Sequence, residues 1–111
     1  HTNLTFNLFN KTFIEKFNKS FWLLNTSRGS IVNTADLIEA LKTNKVLGAG
    51  LDVLDIESSS FTEIINDKNE DFHKLSSFKN VIITPHIAGW TFESNIKLSK
   101  IVVNKIKNHF K

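Results

Sequence analysis

Cysteine, methionine and tyrosine are absent from this 111-residue chain, proline occurs once and glycine four times. Without cysteine there can be no disulfide, no thiolate metal site and no cysteine nucleophile. The absence leaves the compartment open, because a cytosolic protein has no need of disulfides. No apolar run approaches the roughly 20 residues of a membrane-spanning helix, and no signal peptide is visible. No spacing of His, Asp and Glu makes a metal site, and no Gly-x-Ser-x-Gly elbow is present. The chain starts at His1 and holds no Met, so a piece of a longer reading frame is expected.

What is present is ordinary for a globular protein: 41% hydrophobic and 23% charged residues, enough for one domain or part of one. Ten Phe are a skew with no evident cause. The formal net charge is +3, and Lys97, Lys100, Lys105, Lys107 and Lys111 crowd the C-terminal stretch. Lysines on a solvated helix face account for that more simply than a nucleic-acid patch, since no aromatic residues interleave with them.

Periodicity divides the chain into alternating elements. Phe13, Ile14 and Phe17 stand at helical spacing within 10–18. Residues 21–26 read as a first strand. Asn33 or Thr34 can cap a helix over about 34–43, with Asp36 near its positive end and Leu37, Ile38 and Leu41 as its buried stripe. Asn44 suits the turn that follows, and Val46 to Val53 form a second strand. Residues 58–80 are the least regular part, with short helical turns expected at 61–65 and 70–77. A third strand is expected at 81–84. Thr91 then caps a long helix reaching about residue 110, whose Phe92, Ile96, Ser99, Val103, Ile106 and Phe110 form one face. Helices alternating with strands imply an α/β fold with a parallel sheet. Three strands are too few for a complete doubly wound domain.

All three strands end alike, in a polar group able to do chemistry. Phe21-Trp22-Leu23-Leu24 runs into Asn25-Thr26-Ser27-Arg28-Gly29; Leu47-Gly48-Ala49-Gly50-Leu51 runs into Asp52 and then Glu57; Val81-Ile82-Ile83 runs into Thr84-Pro85-His86. Ligands of open parallel sheets sit outside the carboxyl ends of the strands. As neighbouring parallel strands, these runs would bring Arg28, Asp52, Glu57 and His86 to one crevice. A guanidinium there can grip a carboxylate through two parallel hydrogen bonds; on spacing alone, a structural arginine is the simpler reading. Imidazole suits proton transfer near neutral pH, although a lone His at a strand end is more often structural. Either Glu57 or Asp52 could pair with the His86 ring, and Asp52 could instead accept from a ligand amide. Loop solvation would explain either acid equally well. Gly48-Ala49-Gly50 lies inside a strand with no helix opening behind it, so it is no phosphate loop. Close strand–helix packing is its expected role.

Taken together, the segments Leu24-Asn25-Thr26-Ser27-Arg28-Gly29-Ser30-Ile31-Val32-Asn33, Ala35-Asp36-Leu37-Ile38-Glu39-Ala40-Leu41, Gly48-Ala49-Gly50-Leu51-Asp52-Val53 and Thr84-Pro85-His86-Ile87-Ala88-Gly89 resemble the D-isomer-specific 2-hydroxyacid dehydrogenases, which include phosphoglycerate and D-lactate dehydrogenases. The resemblance covers nearly the whole chain and is poorest over 58–80. It implies the second half of a Rossmann-type doubly wound parallel sheet ending in a long helix, with the first half and the substrate domain lying outside residues 1–111. It implies an NAD-dependent oxidoreductase acting on a small 2-hydroxy or 2-keto acid, cytoplasmic and homodimeric as a full-length protein. NADP stays open, because the acidic residue that separates the two cofactors lies upstream.

By the same resemblance, the catalytic residues are Arg28, which holds the substrate, His86, the acid/base, and Glu57, its carboxylate partner. Thr26, Ser27, Arg28, Asp52, His86 and Gly89 are the cofactor-binding positions, with Asp52 near the nicotinamide carboxamide. His1-Thr2-Asn3 matches a further loop beside the cofactor. Asn3 and Ser58 stand where proline is usual, Leu54 replaces a common aromatic, and Trp90 is bulkier than usual; these departures bear on substrate choice. No Gly-x-Gly-x-x-Gly turn occurs, so the isolated chain is expected to lack tight NAD binding and turnover. The alternative is a dehydrogenase-like module, similar to corepressors of this fold, that uses NAD mainly to assemble.

Overall fold

The computed structural model describes residues 2–55 and 69–110. The turn expected at 61–65 and the carboxylate of Glu57 lie outside the described residues.

Helix α1 (Lys11–Glu15) starts at Asn10, whose side chain accepts from the Phe13 N–H. It is shorter than the 10–18 expected. Lys16 and Phe17 donate three residues back, to Phe13 and Ile14, which tightens and closes the turn. Phe17 then stacks on Phe21 with ring centroids 4.2 Å apart. Phe9 and Phe13 complete this aromatic cluster, so four of the Phe residues have a packing role.

Three parallel strands follow, β1 (Phe21–Asn25), β2 (Val46–Leu51) and β3 (Val81–Ile83), in the order β1-β2-β3. Asn25 pairs with Leu51 and Leu51 with Ile83, so all three carboxyl ends meet along one edge. Each strand stops short of its expected end. The backbone leaves the ladder where Asn25, Asp52 and Thr84 use their side chains to build turns.

Helix α2 (Thr34–Lys42) joins β1 to β2. Asn33 caps it by accepting from the Asp36 N–H at 3.0 Å, and Leu37, Ile38, Ala40 and Leu41 are buried. Its C-terminal turn reverses at Asn44, in the left-handed region at φ 56°. Helix α3 (Glu70–Ser77), capped by Asn69, buries Leu75 completely. These helices and α1 lie over one face of the sheet and enclose the core with Val46, Ala49 and Leu51. Helix α4 (Phe92–His109) is capped by Thr91 as expected, and none of its residues is buried.

The opposite sheet face carries Trp22, Leu24 and Ile82, all largely exposed. This face explains the β2 glycines differently from the sequence expectation. A Cβ on Gly48 would fall 2.4 Å from the Trp22 ring and 2.5 Å from the Asn80 carbonyl oxygen; one on Gly50 would fall 2.7 Å from Leu24. They make room for side chains of the neighbouring strand, not for a packed helix.

Candidate active site at the carboxyl edge of the sheet

The turn bearing Arg28 is built by the residue before it leaves the sheet. Asn25 is buried, and its amide donates to the Arg28 carbonyl at 3.0 Å while its oxygen accepts from the Ser27 N–H at 3.1 Å. An Asn side chain closing a loop on the backbone two residues ahead is an Asx turn. It lifts Thr26, Ser27 and Arg28 into solvent. The Arg28 guanidinium folds over its own turn, donating to the Ser27 carbonyl at 2.7 Å. Gly29 then passes so close to the loop after β2 that a Cβ would sit 1.7 Å from the Leu54 carbonyl oxygen. A short 3₁₀ turn, Gly29–Ile31, leads on toward α2. The Thr34 hydroxyl donates to the Asp55 carboxylate, and the Thr34 N–H lies 3.3 Å from the same group. The loops after β1 and β2 are thereby fastened together.

A second tie fastens β2 to the loop after β3. Asp52 is buried, only 3% exposed. Its Oδ1 accepts from the Thr84 hydroxyl at 2.6 Å and the Ile87 N–H at 2.8 Å, and its Oδ2 from the Ala88 N–H at 2.9 Å. Burial works to raise the Asp52 pKa. The Thr84 hydroxyl, the two N–H groups and the nearby His86 together outweigh it, holding the carboxyl below its ordinary value of 3.8. Asp52 is therefore an ion at neutral pH. His86 sits inside this loop in the left-handed region at φ 56°, and its N–H donates to the Asp52 carbonyl at 2.9 Å. Its side chain is exposed, as is Gly89, beside which a Cβ would meet nothing within 4 Å.

Of the residues singled out from sequence, Thr26, Ser27, Arg28, Asp52, His86 and Gly89 thus stand on three adjacent turns at one edge, tied by Asp52 N–H to the Asn25 carbonyl at 2.9 Å. Glu57 lies outside the described residues. Sequence reasoning passed over Asn25, Thr84 and Asp55. The signal for Asn25 was present, an Asn ending a strand directly before the exposed turn; Thr84 and Asp55 bond to residues distant in the chain and gave none.

An open parallel sheet with a cationic turn and an imidazole loop at its carboxyl edge has the design of a dinucleotide-binding α/β domain. Comparison with known proteins agrees. Residues 1–88 match the family described as D-isomer specific 2-hydroxyacid dehydrogenase, NAD binding domain. A Staphylococcus epidermidis protein that carries a 2-hydroxyacid dehydrogenase name is 43% identical over 93 residues, 81% of this chain and 26% of that protein. The NAD-complexed D-isomer specific 2-hydroxyacid dehydrogenase of Lactobacillus delbrueckii ssp. bulgaricus superposes with a TM-score of 0.78 at 33% identity, over 95% of this chain and 33% of that one. The Aquifex aeolicus D-lactate dehydrogenase, complexed with NAD and lactic acid, gives 0.75 at 32% identity, over 99% and 34%.

The chain belongs to the NAD-binding domain family of the D-isomer specific 2-hydroxyacid dehydrogenases. It spans about a quarter of the length of the curated relatives it matches. The family's domain binds NAD, and the edge beside exposed Gly89 is open, with nothing within 4 Å of where a Cβ would stand.

Proposed function

We propose that this chain supplies the substrate-facing part of an NAD-dependent oxidoreductase that interconverts a small D-2-hydroxy acid and its 2-keto acid. When bound, the cofactor supplies or accepts the hydride. Arg28 would hold the substrate carboxylate and carbonyl through the paired donors of its guanidinium. Hydride delivery builds negative charge on the carbonyl oxygen, and His86 would stabilise that charge and give the oxygen its proton. Glu57 would keep the imidazole charged and oriented, a role resting on the resemblance alone. Thr26, Ser27, Asp52 and Gly89 would line the cofactor end. The lactic acid bound by the Aquifex aeolicus relative supports a short 2-hydroxy acid as substrate. A homodimeric, cytoplasmic enzyme belongs to the same reading.

One observation carries it: the Arg28 turn and the His86 loop are fastened through β2 to the same edge of a parallel sheet. The full-length protein is expected to oxidise NADH with at least one member of a panel of 2-keto acids. His86→Gln should lower kcat by about 10²–10⁴-fold and leave NADH affinity within a few-fold. Arg28→Lys should raise KM for the keto acid sharply, because a point charge cannot reproduce a two-pronged grip. No oxidation with any acid, together with NADH-driven dimerisation, would favour the assembly module instead.

A further inference from the structure

The His86 loop holds a backbone conformation that its own residues disfavour. At φ 56° the imidazole-bearing residue occupies the left-handed region, which Cβ sterics make uncommon outside glycine, although His enters it more readily than most residues do. Such a conformation persists only where its surroundings impose it. Here they do so from both sides. Asp52 accepts from the Thr84 hydroxyl, two residues before His86, and from the N–H groups of Ile87 and Ala88, the two residues after it. The His86 N–H itself donates to the Asp52 and Thr84 carbonyls at 2.9 and 3.0 Å.

We propose that Asp52 and Thr84 form a latch that fixes the left-handed turn at His86 and so aims the imidazole at the reacting carbonyl. Both are positioning residues. The proposal rests on the reading of His86 as the acid/base and adds to it the device that places it. The chemistry of the pair is specific. A carboxylate only accepts, so both its oxygens can face donors; an amide would turn its own NH₂ toward the N–H of Ala88 or that of Ile87. The Thr84 hydroxyl fixes the rotation of the carboxylate, and valine has the same shape without that donor. Asp52 is buried, so water does not readily replace a donor lost from its carboxylate.

The test uses the full-length protein with Thr84→Val, Thr84→Ser and Asp52→Asn. Thr84→Val keeps the charge of Asp52, so it separates the latch from any contact of Asp52 with the cofactor. It is expected to lower kcat for keto-acid reduction about 10–100-fold, the order that a displaced catalytic group produces. NADH affinity should stay within about three-fold, and Thr84→Ser should restore most of the rate. The isotope effect with deuterated NADH should rise as the chemical step slows. Amide hydrogen exchange at Ile87 and Ala88 should quicken at least tenfold in Thr84→Val and Asp52→Asn, with α2 unchanged. Wild-type kcat and exchange in both variants would overturn the latch. So would a rate lost only in proportion to the folded fraction, with an unaltered isotope effect. A wild-type protein that reduces no keto acid would overturn the proposed function instead, and the exchange measurement would then decide the latch by itself.

Discussion

At Gly29 the chain has no room for a side chain, and this one residue shows how closely the site depends on backbone contact. Its backbone lies against Leu54 and Asp55, where a Cβ would fall 1.7 Å from a carbonyl oxygen and 2.5 Å from a backbone nitrogen. Neither atom belongs to a flexible side chain, so Gly29→Ala must push two loops apart. Destabilisation of about 3 kcal/mol is expected, the upper part of the usual range for overpacking, read as a lower urea midpoint. The Arg28 turn moves with Gly29, so KM for the keto acid should rise in the same variant. A Gly29→Ala protein with an unchanged midpoint would show that the loops part freely. Arg28, Asp52 and His86 could be singled out from their neighbours in the chain, because each lies within four residues of the end of an apolar run. Asn25 and Thr84 were harder to see. The Asx turn at Asn25 carried only a local cue, and Thr84 bonds to Asp52, 32 residues away in the chain.

The helices were the most legible elements, and their starts were more legible than their ends. Asn33 caps α2 and Thr91 caps α4, since a side-chain oxygen at that position satisfies an otherwise orphaned N–H whatever the rest of the fold does. The 70–77 segment forms α3 as its pattern suggested. Strand ends were overrun at Asn25, Asp52 and Thr84, because apolar alternation gives no warning that a polar side chain will bond back to the backbone. The short α1 fell to a tertiary influence, the stacking of Phe17 on Phe21. Helix α3 is anchored by Leu75, 0% exposed and part of the cluster with Leu41, Val46 and Leu51. Leu75→Ala should therefore cost about 2–5 kcal/mol by opening a cavity, with the slope of the urea transition unchanged. A loss below about 1 kcal/mol would mean that α3 contributes little to holding the sheet.

Taken whole, the molecule is one-sided. Helices α1, α2 and α3 cover one face of the sheet, while Trp22, Leu24 and Ile82 stand 68%, 79% and 70% exposed on the other. A contiguous apolar surface of this kind tends to be withdrawn from water by association. The 111-residue chain is accordingly expected to enhance the fluorescence of a hydrophobic dye and to scatter more light as its concentration rises. Ile82→Lys should reduce both, and identical behaviour of the two proteins would show that this face is not the adhesive one. Fold class, the order of elements and the caps of α2 and α4 were written in local pattern and motif. Pattern suffices for them because periodicity, capping and strand-end polarity act over a few neighbouring residues. The convergence of three turns on one edge, the crowding that requires Gly29, Gly48 and Gly50, and the grip of Asp52 on the His86 loop became visible only in three dimensions. Each joins residues far apart in the chain, and only parallel pairing of the strands brings them within bonding distance.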